Sequence, residues 1–198
     1  NNAEQATTAN QPTFEENELN SLPVARFDGT DFFPDIFSTL DTNLTVFSVF
    51  KHDHDGSADV SGPVWQAGDN TSTSGLFLPY YEDGRHYLIN GSGTGTPLFS
   101  DPSEFTSGTW YTSAGWYCAD TLELWRNGDM IDSAGYTNVI SPGAFRIGNA
   151  TDSLGGYTGD LAELILYEFD LNEAQKIIVS NYLSSKYNLA LDADDYYS

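Results

Sequence analysis

A chain of 198 residues with one cysteine, three histidines and only seven lysines and arginines has several functions placed out of its reach. Cys118 has no second cysteine to pair with, so no disulfide closes within the chain, and rigidity has to come from packing or from bound metal. A lone thiol in a strand serves as core filler. Against the seven basic residues stand 29 acidic ones, and the formal charge of −22 repels phosphate backbones and anionic membrane surfaces while it attracts cations. That balance argues against nucleic acid as a partner and suits a protein that stays soluble in salty surroundings. No run approaches the roughly 18 apolar residues of a membrane span. The start, "NNAEQATTANQP", has neither the basic nor the apolar part of a secretory leader. Beginning without Met, the chain reads as a processed piece of something longer.

What the sequence does have is β rhythm. Short runs rich in Val, Phe, Tyr, Trp and Leu alternate with clusters of Gly, Asn, Asp and Pro, the pattern of an antiparallel sandwich folded as one domain. "LPVARF" is the first such run, followed by "LTVFSVF", "PVWQAG", "GLFLPYY", "HYLING" and "GTWYTSAGWYC". In "TLELWRNGDMIDS", Asn127-Gly128 suits the two positive φ angles of a tight hairpin turn. "GAFRIG" and "GDLAELILYEF" complete the series, and "NGSGTGTP" reads as a single glycine-rich loop.

Strict alternation in "LAELILYEF" puts Leu161, Glu163, Ile165 and Tyr167 on one face and Ala162, Leu164, Leu166 and Glu168 on the other. Both faces are largely apolar, which predicts an interior strand. The period then lengthens to 3.6 in "LNEAQKIIVSNYLSSKYNL", with Leu171, Ala174, Ile178 and Tyr182 on one helical stripe. Asn172 followed three positions later by Gln175 predicts a capping box at the helix start. Residues 1–191 are taken as the domain and 192–198 as a polar tail or linker.

The stretch "GYTGDLAELILYEFDLNEAQKIIVSNYLSSKYNL" resembles the closing segment of the bacterial laminin-G-like, concanavalin A-like jelly-roll family, a Gly-x-Leu-Ala-Glu-type strand followed by a helix ending in Tyr-Leu-x-x-Lys-Tyr. The front, with "NQP" leading to "FDGTDFF" and then "LTVFSVF", is similar to the family's opening. The resemblance implies a two-sheet antiparallel jelly-roll sandwich with a C-terminal helix. It implies noncatalytic modules of secreted, cell-surface or virion proteins that bind glycans or proteins, often with structural Ca²⁺. It also implies that Ca²⁺ sits where the first and last strands lie side by side, which here points to Asp160 and to Asp28 and Asp31.

Read from residue chemistry alone, "KHDHDGSAD" is a second metal candidate. Asp53, Asp55 and Asp59 around a Gly-permitted bend offer hard oxygen ligands for Ca²⁺, although Val64 stands where an EF-hand loop needs its bidentate Glu. His52 and His54 would instead suit a transition metal such as Zn²⁺, and a simple solvated loop accounts for the same residues. For a glycan, which needs a flat apolar platform beside amides and carboxylates, the candidates are Tyr80, Tyr81 and Trp65, with Asp83, Arg85 and Asn70 in adjoining loops. Tyr80 and Tyr81, between Pro79 and the "EDG" turn, are the pair expected at an exposed strand end.

Catalysis finds little support. The Glu-x-Asp-x-x-Glu strand of retaining glycosidases is absent, as are the Gly-x-Ser-x-Gly and His-Glu-x-x-His patterns. The sequence therefore predicts a noncatalytic extracellular recognition module that binds glycan or peptide on a loop rim with Ca²⁺. The alternatives are a structural or adhesion module of a virion or cell surface that contacts other protein chains, and a polysaccharide-degrading enzyme with an unusual site.

Overall fold

Alternating apolar and polar residues, interrupted by Gly, Asn and Asp turns, fold the chain into two antiparallel sheets. The computed structural model describes residues 3–37, 43–53, 62–68, 76–82, 85–90, 98–99, 106–118, 121–135, 145–149 and 156–192, with backbone alone at 35, 37, 76–82, 85–90, 98–99 and 118. The strands are β1 (Thr13–Leu19), β2 (Leu22–Asp28), β3 (Phe33–Phe37), β4 (Leu44–His52), β5 (Trp65–Ala67), β6 (Leu76–Glu82) and β7 (Arg85–Asn90). They continue as β8 (Leu98–Phe99), β9 (Trp110–Cys118), β10 (Thr121–Arg126), β11 (Asp129–Gly135), β12 (Phe145–Ile147) and β13 (Thr158–Tyr167), before the helix α1 (Glu173–Tyr187).

Among the described residues, one sheet has seven strands in the order β1-β2-β13-β4-β9-β10-β11, and the other has six in the order β3-β12-β5-β6-β7-β8. Phe27, Leu44, Val46, Phe50, Trp65, Tyr117, Leu122, Phe145 and Leu161 are buried in a single apolar cluster between them. On the outer face of the seven-stranded sheet a second cluster forms under α1, joining Val24, Phe47, Val49 and Ala114 to Leu171, Val179, Leu183 and Tyr187. The two-sheet antiparallel sandwich with a C-terminal helix is thus present as expected.

Several local predictions hold. Asn127 and Gly128 both take positive φ (44° and 87°), and Arg126 pairs with Asp129 across the turn. Asn172 caps α1, accepting from the Gln175 N–H while the Gln175 side chain accepts from the Asn172 N–H, and Asn188 ends the helix in the left-handed conformation. β13 is an interior strand between β2 and β4.

Two expectations are corrected. β13 does not alternate strictly: Leu161 pairs with Phe50 and Glu163 with Val49, so Ala162 is an extra residue in a β-bulge. Leu161, Leu164 and Leu166 consequently pack between the sheets, whereas Ala162, Ile165 and Tyr167 pack under the helix. The helix, for its part, buries Lys176, Val179, Leu183 and Tyr187 rather than the stripe through Ala174, Ile178 and Tyr182, all three of which are exposed. Polar anchors explain that rotation. Lys186 Nζ bonds Glu163 at 3.0 Å, the Tyr187 hydroxyl donates to the Ala162 carbonyl at 3.1 Å, and Lys176 Nζ meets Glu123 at 2.8 Å. No helix among the described residues is long and apolar enough to cross a membrane.

Candidate functional site

The end of β2 and the start of β13 form one rim of the sandwich, and glycines allow them to meet. A Cβ on Gly156 would overlap the Gly29 carbonyl oxygen. One on Gly159, at φ 144°, would overlap the carbonyl of Lys51. Backbone bonds tie the rim together: Gly29 N–H donates to Tyr157 O (3.0 Å), Asp53 N–H to Thr158 O (3.2 Å) and Gly62 N–H to Gly156 O (3.1 Å). Beneath them the buried Tyr157 hydroxyl bonds the carbonyls of Lys51 (2.8 Å) and Asp160 (2.9 Å), and burial pushes its pKa well up.

The turn that leaves β2 carries two aspartates in unlike surroundings. Asp28 is exposed and accepts from the Thr30 hydroxyl (2.7 Å) and N–H (2.9 Å), bonds that hold its pKa below the ordinary carboxylate value. Asp31 is buried and accepts from the Asp28 N–H at 3.1 Å. Burial lifts its pKa above the ordinary value, and the negative charge of Asp28 beside it adds to the rise. Among the described residues no lysine or arginine pairs with either carboxylate. An uncompensated pair of this kind, one partner out of water, suits a hard cation, because carboxylate and carbonyl oxygens are the ligands Ca²⁺ takes. Among the described residues no group of three or more His, Cys, Asp or Glu side chains converges, so further ligands for such an ion would have to be backbone oxygens or water.

Asp160, expected to join that pair, is committed elsewhere. It is fully buried, and its two oxygens accept from Arg26 Nε (2.7 Å), from the Arg26 terminal nitrogen (3.0 Å) and from Lys51 Nζ (2.7 Å). Burial raises its pKa, but the bonds from Arg26 and Lys51 outweigh that and leave it lowered. Glu15 and Glu18 reach Arg26 from β1 at 3.9 and 3.4 Å. The cross-strand register explains the arrangement, since Arg26, Asp160 and Lys51 are direct partners on β2, β13 and β4. Two cations already neutralise the carboxylate, so Asp160 is the centre of a buried ion-pair network.

Other predicted site residues scatter. Asp53 is exposed, 3.8 Å from Lys51 Nζ, while Asp55, Asp59 and His54 lie outside the described residues. His52 is buried, its ring set edge-on to Phe50 and Tyr157 at 5.2 and 5.1 Å, which makes it part of the core. Trp65 is not a platform for ligand either: it is fully buried and stacked on Phe145 at 5.7 Å. Tyr80 and Tyr81 pair with Tyr87 and His86 across β6 and β7, and Arg85 opens β7 rather than lying in a loop; the side chains of all three are outside the described set. Asn70 and Asp83 lie outside the described residues altogether. Sequence reasoning passed over Arg26 and Lys51, because only the cross-strand register of β2, β13 and β4 brings them to Asp160.

Residues 32–175 match the concanavalin A-like lectin/glucanases superfamily. No curated protein sequence matches the chain. Among solved structures, domain 4 of an extracellular GH43 arabinanase from Geobacillus stearothermophilus, determined with arabinotriose, has a TM-score of 0.65 at 17% identity, over 89% of this chain and 82% of its own. A heptameric SAP-like pentraxin from Limulus polyphemus is similar with a TM-score of 0.57 at 18% identity, over 78% and 80% of the two chains. A sialidase CBM40 of Ruminococcus gnavus bound to α2,3-sialyllactose gives 0.54 at 15% identity, over 72% and 84%.

Proposed function

Because the chain belongs to the concanavalin A-like lectin/glucanase superfamily, we propose that it is a noncatalytic, extracellular glycan-recognition module with a Ca²⁺-dependent rim. The observation that carries this reading is the Asp28–Asp31 pair, one carboxylate buried, the other exposed, at a rim packed too closely for any residue but glycine at 156. Asp28 and Asp31 would hold the ion, and bound Ca²⁺ supplies positive charge and coordination positions that glycan hydroxyls can fill. Asp53 is tied to the same rim by its N–H bond to the Thr158 carbonyl. Arabinotriose and sialyllactose, the ligands of two structural neighbours, support glycan as the ligand class. An extracellular location is supported by the arabinanase, itself an extracellular enzyme.

The test is a glycan array probed with wild type and Asp31→Asn, each in millimolar Ca²⁺ and in excess EDTA. Signal that needs both Ca²⁺ and Asp31 supports the reading, and a blank array overturns it. Release of soluble sugar from a polysaccharide, abolished by one carboxylate change, would replace it with an enzyme.

A second reading, a module that contacts other protein chains on a virion or cell surface, is favoured by a different feature. Ile178 and Tyr182 lie one turn apart on the outer side of α1 with 60% and 46% of their surfaces exposed. Burial of that stripe against a neighbouring chain in the native assembly would support it.

A further inference from the structure

The β1–β2 hairpin has a hollow whose origin is visible in the sequence. Glu15 pairs with Val24 and Leu19 with Leu22, so three residues of β1 face Pro23 alone. Proline has no N–H to give to the ladder, and the chain opposite bulges, with Asn17 at φ 61°. The bulge leaves an open groove of about 200 Å³ lined by Phe14, Glu16, Asn17, Ser21 and Pro23.

Its walls have the composition a sugar needs. Phe14 is 69% exposed and, among the described residues, engages no other ring. Glu16, Asn17 and Ser21 make no side-chain hydrogen bond or ion pair among the described residues, in contrast to Glu15 and Glu18, which turn to Arg26. A flat aromatic face and a proline ring beside a carboxylate, an amide and a hydroxyl match the C–H face and hydroxyl edge of a pyranose or furanose. The volume is below the roughly 300 Å³ at which drug-sized ligand pockets begin and matches contact with one sugar residue. Glu16 in the groove and the chain's charge of −22 disfavour acidic sugars.

We propose that this hairpin groove is a second glycan contact, selective for one uncharged sugar residue and independent of Ca²⁺. It rests on the glycan-recognition reading but not on the rim, because Asp28 and Asp31 do not line it.

The test is titration of ¹⁵N-labelled protein in excess EDTA with glucose, galactose, arabinose and N-acetylglucosamine, and separately with glucuronate and N-acetylneuraminate. Shifts confined to residues 14–23 with uncharged sugars, absent with the acidic ones and weakened at least fivefold in Phe14→Ala, are expected. Glu16→Gln, which keeps the shape and removes the charge, should let the acidic sugars in. No hairpin response to any uncharged sugar, or a response indifferent to Phe14→Ala, overturns the inference. If array binding in Ca²⁺ then persists, the rim reading stands alone. If binding is absent in both buffers, both readings fall.

Discussion

The Lys176 ammonium lies 3.5 Å from the centre of the Trp116 ring, with Glu123 at 2.8 Å and the Trp125 ring at 5.1 Å. The first turn of α1 is therefore held to β9 and β10 by an enclosed cation. Trp125 Nε1 donates to the same Glu123 oxygen at 2.8 Å, so one carboxylate receives both the ammonium and an indole N–H. Replacing Lys176 by Met keeps the aliphatic stem and removes the charge, leaving the half-buried Glu123 without its cation. A loss of about 3 kcal/mol is expected by urea denaturation. Glu123→Gln/Lys176→Met together should recover part of that loss.

Asp160 sets an acid limit on stability. Its pKa lies below the ordinary 3.8, so the stabilisation it provides is complete above that value and disappears as pH falls through the lowered folded pKa. Asp160→Asn should cost about 3 kcal/mol at pH 7, where Arg26 and Lys51 lose their buried counter-ion. The gap between variant and wild type, followed by denaturation across pH 2–7, should close below about pH 3.8.

Asp31 has the opposite sign. With its pKa raised by burial, ionisation opposes folding, and stability from this group is lost as pH climbs through the raised value. Without Ca²⁺, Asp31→Asn should therefore raise the neutral-pH stability by about 1 kcal/mol, since the amide oxygen can still accept from the Asp28 N–H. Millimolar Ca²⁺ should raise the Tm of wild type and leave that of the variant unmoved. A Ca²⁺ response that survives in Asp31→Asn would place the ion elsewhere.

Two glycines separate crowding from backbone strain. Gly156→Ala drives a methyl into the Gly29 carbonyl and should cost more than about 3 kcal/mol or prevent folding. Gly108, at φ 76° with nothing within 4 Å of the place an added methyl would take, should lose only about 1 kcal/mol on change to Ala. Thermal unfolding of the two variants side by side distinguishes them.

The fold was legible wherever a local signal coincided with its structural cause. Asn127-Gly128 turns because both residues tolerate positive φ, and Asn172 with Gln175 starts the helix because each satisfies the other's backbone N–H. β1 was missed because "TFEENEL" is dominated by carboxylates and carries its one exposed aromatic on an edge. The helix face was misread because two of its four buried residues, Lys176 and Tyr187, enter by way of polar tips that hydropathy counts against them. Tyr187 shows the cost, its pKa raised to about 12 by burial.

At the site, the sequence supplied the aspartates but not their sorting. Asp28 and Asp31 meet because a tight turn brings them together, whereas Asp160 is claimed by lysine and arginine on neighbouring strands, a cross-strand relation that spacing along the chain does not encode.

The extra residue in β13 acts as a half-period phase shift between two halves of one strand. Ahead of it the row Arg26–Asp160–Lys51 runs across three strands; behind it Leu164 and Leu166 face one apolar cluster while Ile165 and Tyr167 face the other. Were Ala162 to pair as an ordinary strand residue, with no bulge, everything downstream would trade sides, sending two leucines toward the helix seat and a tyrosine into the space between the sheets, so the extra step taken at one small residue governs which of the two layers each later side chain belongs to.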